Sequence, residues 1–159
     1  MQYGDFSNPF LAVVSSIAYG FASALLPFVN TELFIIFLGT VARRRPAALA
    51  ALVVLVTASS MAGKAVLYVA GRQFERLPPG RFRDRIAAAR ARLGAHTQMG
   101  GVALFASALF GLPPFYLTTI ASGVLRFGML RFLLIGFAGR LLRFAIVAAA
   151  PQMLEAWWL

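Results

Sequence analysis

From Ala47 to Gly71 the chain runs for 25 residues with a single charge, Lys64. As a helix this stretch is about 37 Å long, enough to cross a bilayer with some tilt. A second run, Met129 to Ala150, has the same character and carries Arg140 and Arg143. The rest of the chain agrees with a membrane setting. Of 159 residues, 60% are apolar and 13% charged, against about 45–50% and about 25% in soluble domains. A globule of this size in water has no interior large enough to hide that surface. A soluble enzyme, a disordered tail and a coiled coil are therefore excluded, and a polytopic all-α membrane protein is expected.

There is no cysteine, hence no disulfide framework and no thiolate metal site. The formal charge of +10 comes from fourteen Arg and one Lys. In a soluble chain it would point to nucleic acid. Here most of the arginines cluster in loops, as membrane topology requires, so no nucleic-acid partner is expected. The first nine residues hold no Lys or Arg, so the Ala22-Ser23-Ala24 triplet lacks the positive region that a cleaved signal peptide needs.

The other apolar stretches are short or broken. Phe10–Phe28 is followed by Val29-Asn30-Thr31-Glu32 and by only nine apolar residues, Leu33 to Val41. Nine residues cover about 14 Å, roughly half a bilayer core. Residues 97–127 are interrupted by Pro113-Pro114, and each arm is below the ~17 residues of a span. Both stretches, 10–41 and 97–127, read as re-entrant hairpins with Pro-broken tips. Between the span 47–71 and the second hairpin lies a basic linker, 72–96. In it Phe82, Ile86, Ala89 and Leu93 share a helical face, as in an amphipathic helix lying on the bilayer surface.

The order is then hairpin, span, surface linker, hairpin, span: two inverted repeats. Ser23-Ala24-Leu25-Leu26-Pro27-Phe28 is echoed by Ser107-Ala108-Leu109-Phe110 and Pro114-Phe115. Paired interrupted segments in two halves are the sequence pointer to a midplane site in transporters. With re-entrant hairpins, nine linker-side arginines face Arg43, Arg44 and Arg45, which puts the linker in the cytoplasm. If each hairpin is instead one broken span, Arg126 and Arg131 change sides and the bias weakens.

Ionisable side chains at membrane depth are costly, and each is a functional candidate. Arg140 lies about 16 Å into its span, with Arg143 at i+3 on the same face. A guanidinium suits phosphate or carboxylate bidentately. Alternatively Arg140 pairs with Glu32, and Arg143 snorkels outward. Glu32 reads either as a first-turn acid behind an Asn30 cap or as a titratable counter-ion to Arg140. Lys64 reads as a further site residue or as a snorkelling side chain. Its small neighbours Ser59, Ala62 and Gly63 read as helix-packing contacts. His96 stands alone, so no metal is expected. No phosphate-binding glycine loop, nucleophile elbow or paired carboxylate is present, and neither enzymatic activity nor a cofactor is expected.

Several short patterns together resemble a known family. They are Leu25-Leu26-Pro27 ahead of Thr31-Glu32-Leu33; Gly63 with Tyr68-Val69-Ala70-Gly71-Arg72; Leu112-Pro113-Pro114 with Ala121-Ser122-Gly123; and Gly139-Arg140 with Arg143-Phe144. In this order they are similar to the DedA family, the VTT-domain or SNARE-associated Golgi protein group, and most of all to its short YqaA-like branch. The resemblance covers Ala22 to the C-terminus. It implies two facing re-entrant hairpins and a bacterial inner-membrane location. It also implies transport, by a flippase or scramblase, of a phosphate-bearing lipid such as a polyprenyl phosphate or a phospholipid. On that reading Arg140, Arg143, Glu32, Pro27, Pro113 and Pro114 form the substrate site, with Lys64 and Arg72 beside it, and the partners are membrane lipids with anionic head groups. The chain departs from the family pattern in that Ala106 to Leu112 carries no charge and the second hairpin no acid, which leaves Glu32 as the lone intramembrane carboxylate. A chain this short makes a thin wall around a lipid path, and a homodimer would thicken it.

Overall fold

The computed structural model describes residues 9–26, 29–42, 45–73, 84, 87, 88 and 97–158. Among the described residues the regular structure is all helical: α1 (Pro9–Leu25), α2 (Thr31–Val41), α3 (Pro46–Arg72), α4 (Thr97–Phe110), α5 (Phe115–Val124) and α6 (Met129–Trp158). Two of these are long and apolar enough to cross a membrane, Pro46–Arg72 and Met129–Pro151. The other four have 17, 11, 14 and 10 residues. Pro27 and the surface-helix face of Phe82, Ile86, Ala89 and Leu93 lie outside the described residues, as does His96.

The helix limits follow local chemistry. Asn30 caps α2, its side chain accepting from Glu32 N at 2.9 Å, as expected. Pro46 is the first residue of α3. Its missing N–H is one that a helix start leaves unbonded, and its φ is already helical. Gly111, at φ 76°, ends α4, its N–H donating to Ser107 O. α5 ends in a Schellman turn: Phe127 N–H bonds Ser122 O and Arg126 N–H bonds Gly123 O. Arg126 takes the left-handed position at φ 55° that glycine usually fills. Pro151 does not stop α6, which continues to Trp158. Trp157 and Trp158 thus lie within α6.

The chain divides into two compact units, Met1–Gly63 with Leu141–Leu159, and Lys64–Arg140. Each holds one hairpin and one portion of each long helix.

In the first unit α2 doubles back along α1. Tyr19 stacks on Phe34 with ring centroids 4.3 Å apart, and its hydroxyl donates to Asn30 O. The core joins Ile35 and Leu38 of α2, Leu49, Val53 and Val56 of α3, and Phe144 and Ala148 of α6. Small residues allow the close approaches, as in membrane helix packing. A Cβ at Gly39 would come within 2.7 Å of Ala148 O. Gly63 abuts Ala24 and the Phe21 carbonyl, while Gly20 abuts Ser59 and the Val56 carbonyl. Rising numbers on α1 meet rising numbers on α3, so these two helices run in the same direction. Ser59 and Gly63 therefore have the packing role expected of them.

In the second unit α5 doubles back along α4. Ser107, fully buried, donates to Pro113 O at 2.7 Å and lies 3.0 Å from Thr118 Oγ1. Tyr68, Phe132 and Phe115 form a stack, with centroids 5.1 and 6.2 Å apart. The Tyr68 hydroxyl donates to Phe127 O. Gly139 abuts Ala108 and the Phe105 carbonyl, and Gly101 abuts Ile135. α4 and α6 thus also run in the same direction. Gly123 lies on the Tyr68 carbonyl, where any side chain would collide with backbone.

Candidate functional site

The charges divide between the units. In the first, Arg143 Nη2 bonds Glu32 Oε1. The side chains are 26% and 36% exposed, so the ion pair is half-buried. The sequence offers Arg140 as the partner of Glu32, and an outward-snorkelling Arg143; the ion pair is instead formed by Arg143. α2 begins at Thr31 and presents Glu32 in its first turn, where the carboxylate also complements the helix dipole. Asn30 and Tyr19 close the same tip. This corner satisfies its own charge and its own helix end.

In the second unit two cations meet the start of α5. Lys64 is 4% exposed, with Nζ 5.1 Å from the centre of the Tyr116 ring. Arg140 Cζ lies 5.4 Å from the centre of the Phe115 ring. Both distances fall in the cation–π range. The two cations are close enough for their charges to act on one another. Lys64 was also open to a snorkelling reading. Its burial against Tyr116 overturns that, since the ammonium is turned into the protein.

Phe115 and Tyr116 are the first two residues of α5, whose N-cap is Pro114. Proline offers no side-chain acceptor, and no side-chain cap bond is made. The first helical bonds at this end run from Leu117 and Thr118 to Pro114 O. The positive end of a helix dipole and two cations therefore converge on one corner. Such an arrangement repels cations and suits an anion, above all one with several oxygen acceptors.

The remaining site candidates are spread out. Pro113 and Pro114 form the second tip, with a cis Leu112–Pro113 bond and the Pro113 carbonyl held by Ser107. Arg72 is exposed at the C-terminal end of α3. Phe115 and Tyr116 had no signal of their own in the sequence beyond following the Pro-Pro tip. Tyr68 did stand in the Gly63…Gly71-Arg72 pattern, and it proves to bind the Phe127 carbonyl. Among the described residues no cluster of His, Cys, Asp or Glu could hold a metal.

No protein family, curated protein or solved structure matches this chain.

Proposed function

We propose that the protein is a transporter, flippase or scramblase, for a phosphate-bearing lipid, a polyprenyl phosphate or a phospholipid, and a member of the DedA family. The observation that carries this reading is the corner formed by Lys64, Arg140 and the uncapped start of α5. Charges at membrane depth are expensive, and a phosphate held there offsets the cost. Arg140 supplies a planar donor fork and Lys64 a compact charge. The rings of Phe115 and Tyr116 hold the two cations in place.

The accompanying architecture is a pair of inverted repeats with re-entrant hairpins, the linker cytoplasmic. Two features support it. Each hairpin doubles back on arms of 17 residues or fewer, so chain that enters by one face leaves by the same face. The packing also has matched partners: Phe21 and Ala24 against Gly63 correspond to Phe105 and Ala108 against Gly139. On this register the dipeptide Gly63-Lys64 is the counterpart of Gly139-Arg140. Thiol labelling of Arg44→Cys and Gly128→Cys tests the topology. Accessibility from opposite faces agrees with re-entry, and accessibility from one face rules it out.

The functional test is lipid movement in proteoliposomes, with a short-chain polyprenyl phosphate and an ordinary phospholipid as cargo. Wild-type protein moves at least one of them, and Arg140→Ala removes that movement while the protein stays folded. Absence of movement with folded wild-type protein overturns the transport reading.

A second reading, a non-transporting membrane scaffold or assembly factor, draws on the Glu32–Arg143 ion pair. There the intramembrane charges serve only to hold helices together. Arg140→Lys separates the two: a bidentate phosphate site loses function, while a structural charge tolerates the change.

A further inference from the structure

The last residue of the Arg43-Arg44-Arg45 run, Arg45, has no part in the site above and lines a void of the first unit. A cavity of about 510 Å³ opens where the N-terminal ends of α1 and α3 meet the C-terminal end of α2. That volume lies within the ~300–1,000 Å³ usual for sites that take a small molecule. Ala12 and Val13 of α1, Leu38 and Val41 of α2, and Ala51 and Leu52 of α3 form its walls. Arg45 is the one charged residue among those described on its lining. Glu32, the acid of this hairpin, sits at the opposite end of α2 and pairs with Arg143.

We propose that this crevice is a binding site for an anionic phospholipid, with an acyl chain between α1, α2 and α3 and the phosphate on Arg45. The walls argue for the chain. Alanines leave a gap where larger side chains would have closed it, and an apolar gap left empty forfeits dispersion contacts. A lipid tail supplies them at the depth where the bilayer already offers tails. The rim argues for the anion. Arg45 is on the lining and follows Arg43 and Arg44 in the sequence, and basic pockets between membrane helices bind anionic head groups. The bound lipid would fix the mouth of the first hairpin against α3. The inference does not rest on the transport reading, and the same lipid site would serve a scaffold.

The test uses the full chain, purified, delipidated and kept in detergent. It is titrated with phosphatidylglycerol or phosphatidylcholine of identical chains, and bound lipid is counted by native mass spectrometry. One phosphatidylglycerol is retained with a preference of about tenfold. Arg45→Gln lowers its retention to that of phosphatidylcholine. Ala51→Phe, which fills the crevice without touching charge, lowers the retention of both. Helical circular dichroism and a single chromatographic peak establish that each variant is folded. Equal retention of the two lipids by wild type overturns the proposal. So does a preference that neither variant changes, since the lipid then sits elsewhere. Lipid retention that arises only when residues 1–8 are deleted also overturns it, because the chain's own N-terminal segment is then the occupant.

Discussion

The two hairpins close their tips by opposite means. At the first, Asn30 caps α2, Glu32 neutralises Arg143, and Tyr19 of α1 reaches across the turn to Asn30 and Phe34. At the second, Ser107 and Thr118 tie the turn together, but α5 starts on Pro114 with no cap, facing Lys64 and Arg140. Similar lengths and similar packing thus support one corner closed by an ion pair and a side-chain cap, and one where two cations lie over aromatic rings at a helix start without a side-chain cap. A charge that completes its partner is a device for holding helices. On the proposed reading, the cations at the second tip serve instead to receive an anion.

That contrast has measurable consequences, and the largest concerns transport. Lys64→Met combined with Arg140→Met is expected to cut lipid movement in proteoliposomes about a hundredfold, and either alone about tenfold. The loss of transport should exceed any fall in the thermal midpoint in detergent, since each change removes a cation–π contact worth about 0.5–2 kcal/mol. A fall in stability with no loss of transport would make the second corner structural like the first.

Next comes the ion pair. Glu32→Gln and Arg143→Gln should each destabilise the protein by about 1–2 kcal/mol. That is below the ~3–5 kcal/mol of a fully buried pair, because both side chains are partly exposed. A double-mutant cycle should show that the losses do not add, while lipid movement stays within a factor of about three. Additive losses would mean that the contact holds nothing.

A smaller effect follows from converting one tip into the other. Pro114→Asp gives α5 a cap and sets a carboxylate at the corner of Lys64 and Arg140. It should raise stability by about 1 kcal/mol and lower transport, since the anion site is then occupied from within. The reverse experiment, Asn30→Ala, should cost about 1 kcal/mol in thermal or denaturant unfolding and leave transport unchanged. The smallest change is Arg126→Gly. It relieves a left-handed residue at the end of α5 and should stabilise by roughly 0.5–1 kcal/mol. A loss there would show that the Arg126 side chain contributes more than its backbone costs.

Much of the chain was legible before its packing was known. The two spans follow from the length of apolar runs, and the short arms follow from their interruption. Asn30 with Glu32 was readable as a cap because that chemistry is local. Pairing was not readable, because Arg140 and Arg143 are three residues apart on one helix and either satisfies the charge rules for Glu32. The direction of Lys64 was hidden for a similar reason: its position in the span allows either turning outward or burial, and only the ring of Tyr116 decides.

Run length and apolar composition alone dictate the class of structure: an α-helical chain with two helices long enough to cross a membrane, four shorter apolar helices and a few charges within them. Backbone hydrogen bonds must be satisfied locally in a bilayer, and hydrophobic length is a property of the string. Which charges meet is a matter of packing. That depends on glycine-mediated approaches between distant segments, Gly39 on Ala148, Gly123 on Tyr68 and Gly139 on Ala108. These approaches set the rotation of each helix about its own axis, and so which of two neighbouring arginines meets Glu32 and which meets Phe115.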